Sequence, residues 1–228
     1  MNRPFFSIIV PEHNAAEYMR RGMDSVADQG FRDYELIVVC DACDDNTEEI
    51  AWSYAVRVPE ITVLETEYGR AGMARNMGLD LARGEWILFM DDDDWYLPDA
   101  FQIIAEELGR QKDIDILAYG FEWKGMKTAY QSQRRIYPAI WNKAWRREFI
   151  GDERFPEWIH TDDLGFARKM HPRARFGFLN MALYYYNFMR KGSVSDRIRN
   201  GEYDNNVLPE DVRDAVEGYE NWLTSKEF

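Results

Sequence analysis

The stretch Trp86–Trp95, which reads WILFMDDDDW, decides the fold, because an unbroken apolar run leads directly into four carboxylates. The five apolar residues Trp86–Met90 predict a strand that is buried on both faces, as in a parallel sheet. Asp91 to Asp94 then lie where this strand leaves the sheet. Four adjacent carboxylates repel one another, and a divalent cation held by oxygen ligands would reduce that repulsion.

The spacing within the acidic run indicates which carboxylates would face a cation. Alternate side chains of an extended segment share a face, so Asp91 and Asp93 are expected to point at one ion, while Asp92 and Asp94 point away. This D-x-D pattern predicts a site for a divalent cation. Taken alone, the run is more typical of a solvated acidic turn before a helix, where Asp residues favour the helix N-terminus, and the segments before and after it shift the interpretation toward a cation site.

The composition fits one sizeable globular domain. The chain has 228 residues, of which 46% are hydrophobic and 15% aromatic, enough for a packed core. The longest apolar runs are five or six residues, well below the ~20 that a membrane helix needs, and no signal-peptide core is visible at the N-terminus. We therefore expect no transmembrane segment and a cytoplasmic protein, with peripheral attachment to the inner face of the membrane left open.

The charge of the chain bears on its partners. A formal net charge of −13 argues against a nucleic-acid-binding surface, which would need a basic face. It does not argue against a single nucleotide, because a metal and a few local basic groups can hold one inside an acidic protein. We therefore predict no nucleic-acid partner and leave nucleotide ligands open.

The two cysteines, Cys40 and Cys43, form a C-x-x-C pair, a spacing found in redox motifs and in zinc sites. A structural zinc site needs two further ligands, and His13, His160 and His171 show no matching spacing. Reduced thiols at the end of a strand explain the pair better.

Strand-like and helix-like segments alternate along the chain, each apolar run being followed by a polar turn and a stretch with helical spacing. This alternation predicts an α/β fold with a doubly wound, mostly parallel sheet. Strands are predicted at 5–10, 34–40, 61–64, 86–90, 114–119 and 183–186, and helices at 15–29, 47–54, 73–81, 98–108, 163–170 and 209–223.

The second half of the chain is less regular. Residues 120–136 have no clean period and predict a meander or a mobile loop. Trp141–Arg147 mixes aromatic and basic residues, which fits core packing with charged ends as well as a sugar-binding surface. Asn187–Ser195 is a basic loop with glycine and hydroxyls that suits phosphate or an ordinary surface turn. The apolar stripe of 209–223 predicts a helix that docks on the body or on a second subunit, so a homodimer is a hypothesis.

Three polar turns are predicted to meet in one crevice. Ligands of doubly wound sheets bind beyond the carboxyl ends of the strands. The turns at 11–14, 41–45 and 91–94 each follow a predicted strand, so they should share that edge. Asp162–Asp163 opens an apparent helix, where simple capping explains the carboxylates as well as a functional role does.

Several blocks of the chain, taken in order, resemble family 2 glycosyltransferases with the GT-A fold. The resemblance covers about residues 5–196, and its most specific blocks are similar to the family's P-x-Y-N turn, to E-I-I-V-V-D-D-G-S-x-D-x-T, to G-x-x-x-A-R-N-x-G and to F-L-D-S-D-D-W. These four blocks are FSIIVPEHN at 6–14, ELIVVCDACDDNT at 35–47, GRAGMARNMG at 69–78 and FMDDDDW at 89–95. Further counterparts occur at 141–146, 162–163 and 185–195.

The resemblance implies a domain organisation and an activity. Residues 1–119 would form the Rossmann-like half that binds the nucleotide sugar, and residues 120–228 the acceptor-binding half with the C-terminal helix, within one continuous GT-A domain. The implied activity is inverting, metal-dependent sugar transfer from a nucleotide-sugar donor, preferably a UDP-sugar, to a glycan or lipid-linked saccharide. The alternatives are a non-catalytic relative that binds nucleotide sugars and, less well supported, a sugar nucleotidyltransferase, for which Pro11–Ala16 lacks the glycine-rich basic loop.

The resemblance also implies roles for individual residues. Asp163 would be the general base with Asp162 beside it, and Asp91 and Asp93 would bind Mn²⁺ or Mg²⁺ against the donor diphosphate. Asp41 would accept a hydrogen bond from the N3–H of uracil. The full set of implied nucleotide-binding residues is Pro11, His13, Asn14, Asp41, Arg75, Asp92, Arg190 and Ser193.

A few positions depart from the family pattern. His13 replaces the aromatic residue of the first turn, and its ionisation near pH ~6.5 would make donor binding sensitive to pH. Cys40 replaces the first Asp of the D-D-G-S motif, and Ala42-Cys43 replace its Gly-Ser. Asp162 stands for a glutamate and is one methylene shorter. No predicted metal ligand or base is lost.

Overall fold

The structure, a computed structural model, describes residues 3–124, 126–128, 132, 136–157 and 162–187. Nine strands form one sheet in this part of the chain. The strands are β1 (Phe6–Glu12), β2 (Tyr34–Asp41), β3 (Ile61–Thr66), β4 (Trp86–Phe89), β5 (Trp95–Tyr96), β6 (Ile116–Trp123), β7 (Met126–Thr128), β8 (Lys143–Arg146) and β9 (Phe176–Tyr185). The helices are α1 (Met19–Ala27), α2 (Thr47–Ala55), α3 (Ala71–Leu81), α4 (Ala100–Arg110), α5 (Arg147–Ile150) and α6 (Asp162–Met170), followed by a 3₁₀ turn, His171–Arg173.

The sheet is parallel in its first half and mixed in its second. Its strand order is β3-β2-β1-β4-β8-β6-β9-β5, and β7 pairs with β6. Strands β1 to β4 pair in parallel, as do β6 and β9. Strand β8 runs antiparallel between β4 and β6, and β5 and β7 run antiparallel to their partners. The predicted α/β class with a mostly parallel sheet is confirmed, with antiparallel β8 as an addition that the sequence did not reveal.

Apolar side chains cover both faces of the central strands. In β1, Ile8 packs into the cluster that includes Phe101 of α4, whereas Ile9 packs into the opposite cluster with Ala74 of α3. Because successive strand residues point to opposite faces, a strand buried on both sides is apolar at most positions. This requirement explains the apolar runs Ile8–Val10 of β1, Leu36–Cys40 of β2 and Trp86–Phe89 of β4.

The parallel register brings three turns to one edge of the sheet. Pro11 pairs with Val39, and the amide of Met90 donates to the carbonyl of Ile9. The carboxyl ends of β1, β2 and β4 are therefore neighbours, and the turns that follow them lie side by side. The predicted convergence of the three turns at one edge of the sheet is confirmed, and the space beyond them is the predicted crevice.

In the second half, strand β6 continues to Trp123 and pairs antiparallel with β7. The described part of 120–136 thus fits the meander, one of the two predicted alternatives. The second half departs from the sequence-based expectation in one place. Lys143 lies in β8 and is fully buried, because its ammonium donates to the carbonyls of Tyr137 and Ala139 and to Oδ1 of Asn142. A charged residue in a strand is hard to foresee when its hydrogen-bond partners are neighbouring backbone carbonyls.

The segment 209–223, with its predicted helix, lies outside the described residues. Within the described residues, each helix is too short or too polar to cross a membrane.

Ala42 carries backbone strain that a glycine would relieve. Its φ of 51° lies in the left-handed region, which costs a residue with a Cβ about 1–2 kcal/mol. We predict that Ala42→Gly raises the free energy of unfolding by about 0.5–1 kcal/mol, measured by urea denaturation, since part of the relief is lost to the freer unfolded chain. The control is Ala105→Gly within α4, which should lower stability by about 1 kcal/mol. A similar loss in both variants would contradict the prediction.

Candidate functional site

The acidic turn at the end of β4 keeps three of its carboxylates at the surface of the crevice. Asp91, Asp92 and Asp93 are partly exposed, whereas Asp94 is only 1% exposed. The amide of Asp94 donates to the carbonyl of Asp91 at 3.2 Å, which closes the turn. Burial raises the pKa of Asp94, and the charges of Asp93 and Asp91 add to that rise. The burial of Asp94 agrees with the expectation that it points away from a cation. Asp92, for which the same was expected, is partly exposed and not buried.

Arg75 of α3 connects the acidic turn to α6. Its guanidinium is buried, with Nη2 at 2.7 Å from Oδ1 of Asp91 and Nη1 at 2.5 Å from Oδ2 of Asp162. Close packing of the two helices permits this contact, because a Cβ on Gly72 of α3 would lie only 3.0 Å from Cβ of Asp162. Arg75 was predicted to contact the nucleotide. That contact stays a prediction, and in the structure the guanidinium binds two carboxylates.

The two aspartates at the start of α6 differ in exposure. Asp162 is 5% exposed and paired with Arg75, while Asp163 is partly exposed. Burial raises the pKa of Asp162, against the opposing effect of the Arg75 guanidinium. Desolvation and the charge of Asp162 raise the pKa of Asp163 to about 7. Of the two carboxyl groups, Asp163 is the one with access to a ligand and with a pKa suited to a general base near neutral pH.

Asp41 anchors the loop that follows β3. It is 2% exposed, and both of its carboxylate oxygens accept hydrogen bonds. Oδ1 accepts from the hydroxyl of Thr66 and from the amides of Tyr68 and Gly69, and Oδ2 accepts from the amide of Arg70. The predicted contact with the uracil imide stays a prediction, and it would have to be made beside four existing hydrogen bonds.

His13 and Asn14 tie the turn after β1 to the turn after β2. Nδ1 of His13 lies 2.7 Å from the carbonyl oxygen of Asp41, and a carbonyl can only accept, so Nδ1 carries a proton. Asn14 has a φ of 49°, and its Oδ1 accepts from the amide of Asp44 at 2.7 Å. Pro11 is buried in β1. His13 is exposed, and its stacking on a base stays a prediction.

Two predicted site residues remain to be placed, and the structure adds two residues that the sequence did not predict. Arg190 and Ser193 lie outside the described residues. The structure adds Thr66, through its bond to Asp41, and Tyr184, whose hydroxyl contacts the acidic turn. Alternation along the predicted strand 183–186 would place Tyr184 and Tyr186 on the same face of the sheet. No sequence signal, however, indicates which groups the hydroxyl of Tyr184 contacts.

The donor set of the acidic turn fits a divalent cation that a diphosphate helps to hold. Among the described residues there is no group of three or more His, Cys, Asp or Glu side chains arranged to hold a metal. Asp91 and Asp93 provide partly exposed carboxylates, and Mg²⁺ is commonly bound by one or two carboxylates together with substrate phosphates. Cys40 and Cys43 are both free thiols.

Comparison with known proteins matches this chain to glycosyltransferases. Residues 7–171 match the model described as Glycosyl transferase family 2. The putative glycosyltransferase EpsH of Bacillus subtilis (strain 168) is 30% identical over 211 residues, which cover 82% of this chain and 61% of EpsH. The poly(ribitol-phosphate) beta-N-acetylglucosaminyltransferase TarS of Staphylococcus aureus (strain Mu50) is 31% identical over 206 residues, which cover 82% of this chain and 36% of TarS. The chain thus spans less than two thirds of the length of these relatives.

Solved structures agree with the sequence comparison. S. aureus TarS 1–349 in complex with UDP-GlcNAc aligns with a TM-score of 0.73 and 25% identity over 95% of this chain and 71% of that one. The mannosyltransferase PcManGT from Pyrobaculum calidifontis, in complex with GDP-Man and Mn²⁺, aligns with a TM-score of 0.68 and 20% identity over 88% and 62% of the two chains. The second match supports the fold alone, and together they confirm the predicted GT-A fold.

Removing the shared guanidinium should destabilise the protein strongly. Arg75→Met leaves two carboxylates without their counter-charge, one of them buried, and breaking a buried pair costs about 3–5 kcal/mol. We predict a loss in that range in urea denaturation at pH 8. The loss should shrink toward pH 5, because burial raises the pKa of Asp162 and protonation removes the charge of this carboxylate.

Arg110→Met is the matched control, since Arg110 pairs with Glu106 and Glu107 on the exposed face of α4. Exposed pairs of this kind contribute at most about 1 kcal/mol. An Arg75→Met loss no larger than that of the control, or one that grows as the pH falls, would contradict the assignment.

Proposed function

Because the chain belongs to glycosyltransferase family 2, we propose that it transfers a sugar from a nucleotide-sugar donor to a hydroxyl acceptor with inversion at the anomeric carbon. The observation that carries the proposal is the guanidinium of Arg75, which binds Asp91 of the acidic turn and Asp162 beside Asp163. One buried guanidinium thereby links the carboxylates proposed for donor binding to the helix that carries the proposed proton acceptor.

Asp163 is the proposed general base. As the acceptor oxygen forms its bond to the anomeric carbon, the bond from that carbon to the diphosphate oxygen breaks, and the hydroxyl proton passes to Asp163. Displacement from the side opposite the leaving group inverts the anomeric centre. The partial exposure of Asp163 gives an acceptor hydroxyl access to it, and a pKa of about 7 makes it basic enough to take the proton as the bond forms.

Asp91 and Asp93 are the proposed ligands of Mn²⁺ or Mg²⁺. When bound, the cation would supply positive charge to the leaving diphosphate. Within the chain, Arg75 binds Oδ1 of Asp91, and Oδ2 of Asp91 is proposed to face the cation. Asp92, partly exposed beside them, is proposed to contact the nucleotide portion of the donor.

A UDP-sugar is the proposed donor, and a glycan or a lipid-linked saccharide at the cytoplasmic side of the membrane is the proposed acceptor. Support for the donor comes from TarS, 25% identical over most of this chain, which is solved with UDP and with UDP-GlcNAc. On this chain, the exposed ring of His13 and the buried Pro11 lie at the edge of the crevice where the base would bind. Arg190 and Ser193 are proposed to contact the phosphates.

The donor test is thermal denaturation with UDP, UDP-sugars and GDP-mannose, each with and without Mn²⁺. A ligand at a hundred times its Kd should stabilise the protein by about 2.7 kcal/mol. We predict a manganese-dependent shift with UDP or a UDP-sugar, and its loss together with sugar transfer in Asp93→Ala. Asp113→Ala, which removes an exposed aspartate before β6, should keep both.

Three outcomes would change the assignment. Full transfer by Asp93→Ala would refute the metal role of the turn. A shift with UDP but no transfer to any acceptor would favour a non-catalytic nucleotide-sugar-binding protein. No shift with any nucleotide would refute the donor site.

The pH dependence of transfer should report Asp163. Its raised pKa means that the carboxyl group is protonated, and unable to act as base, below about pH 7. We predict that kcat/KM, which reports ionisations of the free enzyme, falls about tenfold per unit as the pH is lowered below that value. Asp163→Asn should lose activity at every pH. A kcat/KM that stays flat from pH 7.5 down to pH 5 would contradict the role of Asp163 as base.

A further inference from the structure

The fourth aspartate of the acidic turn is used inside the protein. Oδ2 of Asp94 accepts a hydrogen bond from the hydroxyl of Tyr184 at 2.7 Å, and Oδ1 accepts from the amide of Asn187 at 2.8 Å. Both donors belong to β9 or the residues directly after it, 90 or more positions along the chain. The carboxylate therefore fastens the turn to the end of a distant strand.

Tyr184 continues this connection to the first residue of the turn. Its hydroxyl accepts from the amide of Asp91 at 3.1 Å while donating to Asp94. The phenol ring is fully buried. Its centre lies 4.8 Å from that of the nearly parallel Trp141 ring and 5.1 Å from that of Tyr96, which it meets edge-on. A rigid side chain thus holds both ends of the turn, and its position is set by packing that does not involve the hydroxyl.

The opposite side of the turn is equally confined. A Cβ on Gly22 of α1 would lie 2.8 Å from the carbonyl oxygen of Asp94, so helix and turn are in close contact. The amide of Tyr96 donates to the hydroxyl of Ser25 on the same helix. The ring of Trp95 stacks on that of Tyr185, with 3.9 Å between the ring centres. On Trp95, the guanidinium carbon of Arg21 lies 3.3 Å from the centre of the ring.

We propose that Tyr184 and Asp94 are positioning residues that hold the acidic turn in its cation-binding shape before a cation arrives. Three neighbouring carboxylates, Asp91 to Asp93, repel one another and would otherwise spread apart. A site that is ordered before the ligand arrives binds more tightly, because the free energy of ordering the site does not reduce the free energy of binding. Asp94 serves as an internal acceptor and Asp91 and Asp93 face the ligand. This inference rests on the proposed function of the turn as a cation and diphosphate site.

Tyr184→Phe is the variant that isolates the positioning effect. It keeps the ring, its packing and all four aspartates, and it removes only the hydroxyl that joins Asp91 to Asp94. We expect the Kd for Mn²⁺ in the presence of UDP, measured by electron paramagnetic resonance of the free ion, to rise about three- to tenfold, because the turn loses both buried hydrogen bonds that the hydroxyl makes. Tyr119→Phe is the matched control, since its buried hydroxyl donates to the carbonyl of Trp141 and not to the turn. It should leave the Kd unchanged.

The outcomes separate the two proposals. If the wild-type protein binds Mn²⁺ with UDP and Tyr184→Phe binds it equally well, the positioning role is wrong and the donor site stands. If Tyr119→Phe weakens binding as much as Tyr184→Phe, the effect is a general loss of core stability and the positioning role is again wrong. If the wild-type protein shows no manganese-dependent binding of UDP, the proposed donor site fails and this inference fails with it.

A second measurement needs no variant and covers the case in which Tyr184→Phe does not fold. Amide hydrogen exchange of the wild-type protein should be slow at Asp91 and Asp94 without any ligand, because both amides are hydrogen-bonded within the turn and its anchor. Adding Mn²⁺ and UDP should slow it little further. Fast exchange that becomes slow only on adding the ligands would overturn the proposal.

Discussion

The candidate site depends on one charge interaction, the pairing of the buried Arg75 guanidinium with Asp91 and Asp162. The crevice gathers carboxylates from two separate elements, and without a cation between them their repulsion would oppose the packing of α6 against α3. A guanidinium suits this position because it is planar and presents donors in two directions, so each carboxylate meets a different nitrogen. The same pairing keeps Asp163 beside a positive charge while leaving its carboxyl group accessible.

Around this pair, the protein uses carboxylates for two different purposes. Asp41 and Asp94 are nearly inaccessible and accept hydrogen bonds from backbone amides and hydroxyls, so each of them fixes a loop. Asp93 and Asp163 remain partly exposed, and their proposed roles are toward a ligand. The distinction is one of burial, since a carboxylate withdrawn from water must find donors within the protein. The high acidic content of the chain therefore serves structure as well as chemistry.

The sequence was sufficient for the elements whose pattern is local. The apolar run Trp86–Met90 predicted β4, and helical spacing predicted α3 and α4, because burial imposes a period on each of these segments. Strand β8 escaped prediction, since Lys143 is buried by bonds to carbonyls that become neighbours only in the fold. For the site, the sequence named the acidic turn and Asp163 as candidates, but it could not give the direction of the Arg75 guanidinium or the partners of Tyr184. These depend on contacts between residues far apart in the chain.

That separation has a consequence for how the protein acquires its site. The bond from Arg75 to Asp162 closes a loop of 87 residues, and the bond from Tyr184 to Asp94 closes one of 90. Contacts of such long range form late in folding, because loop closure costs entropy before the contacts can offset it. The pairing of β1 with β4 is of similar range, but both of these strands precede the acidic turn, whereas β9 follows it by 80 residues or more. During synthesis, the acidic turn can therefore gain its anchor only after β9 has emerged.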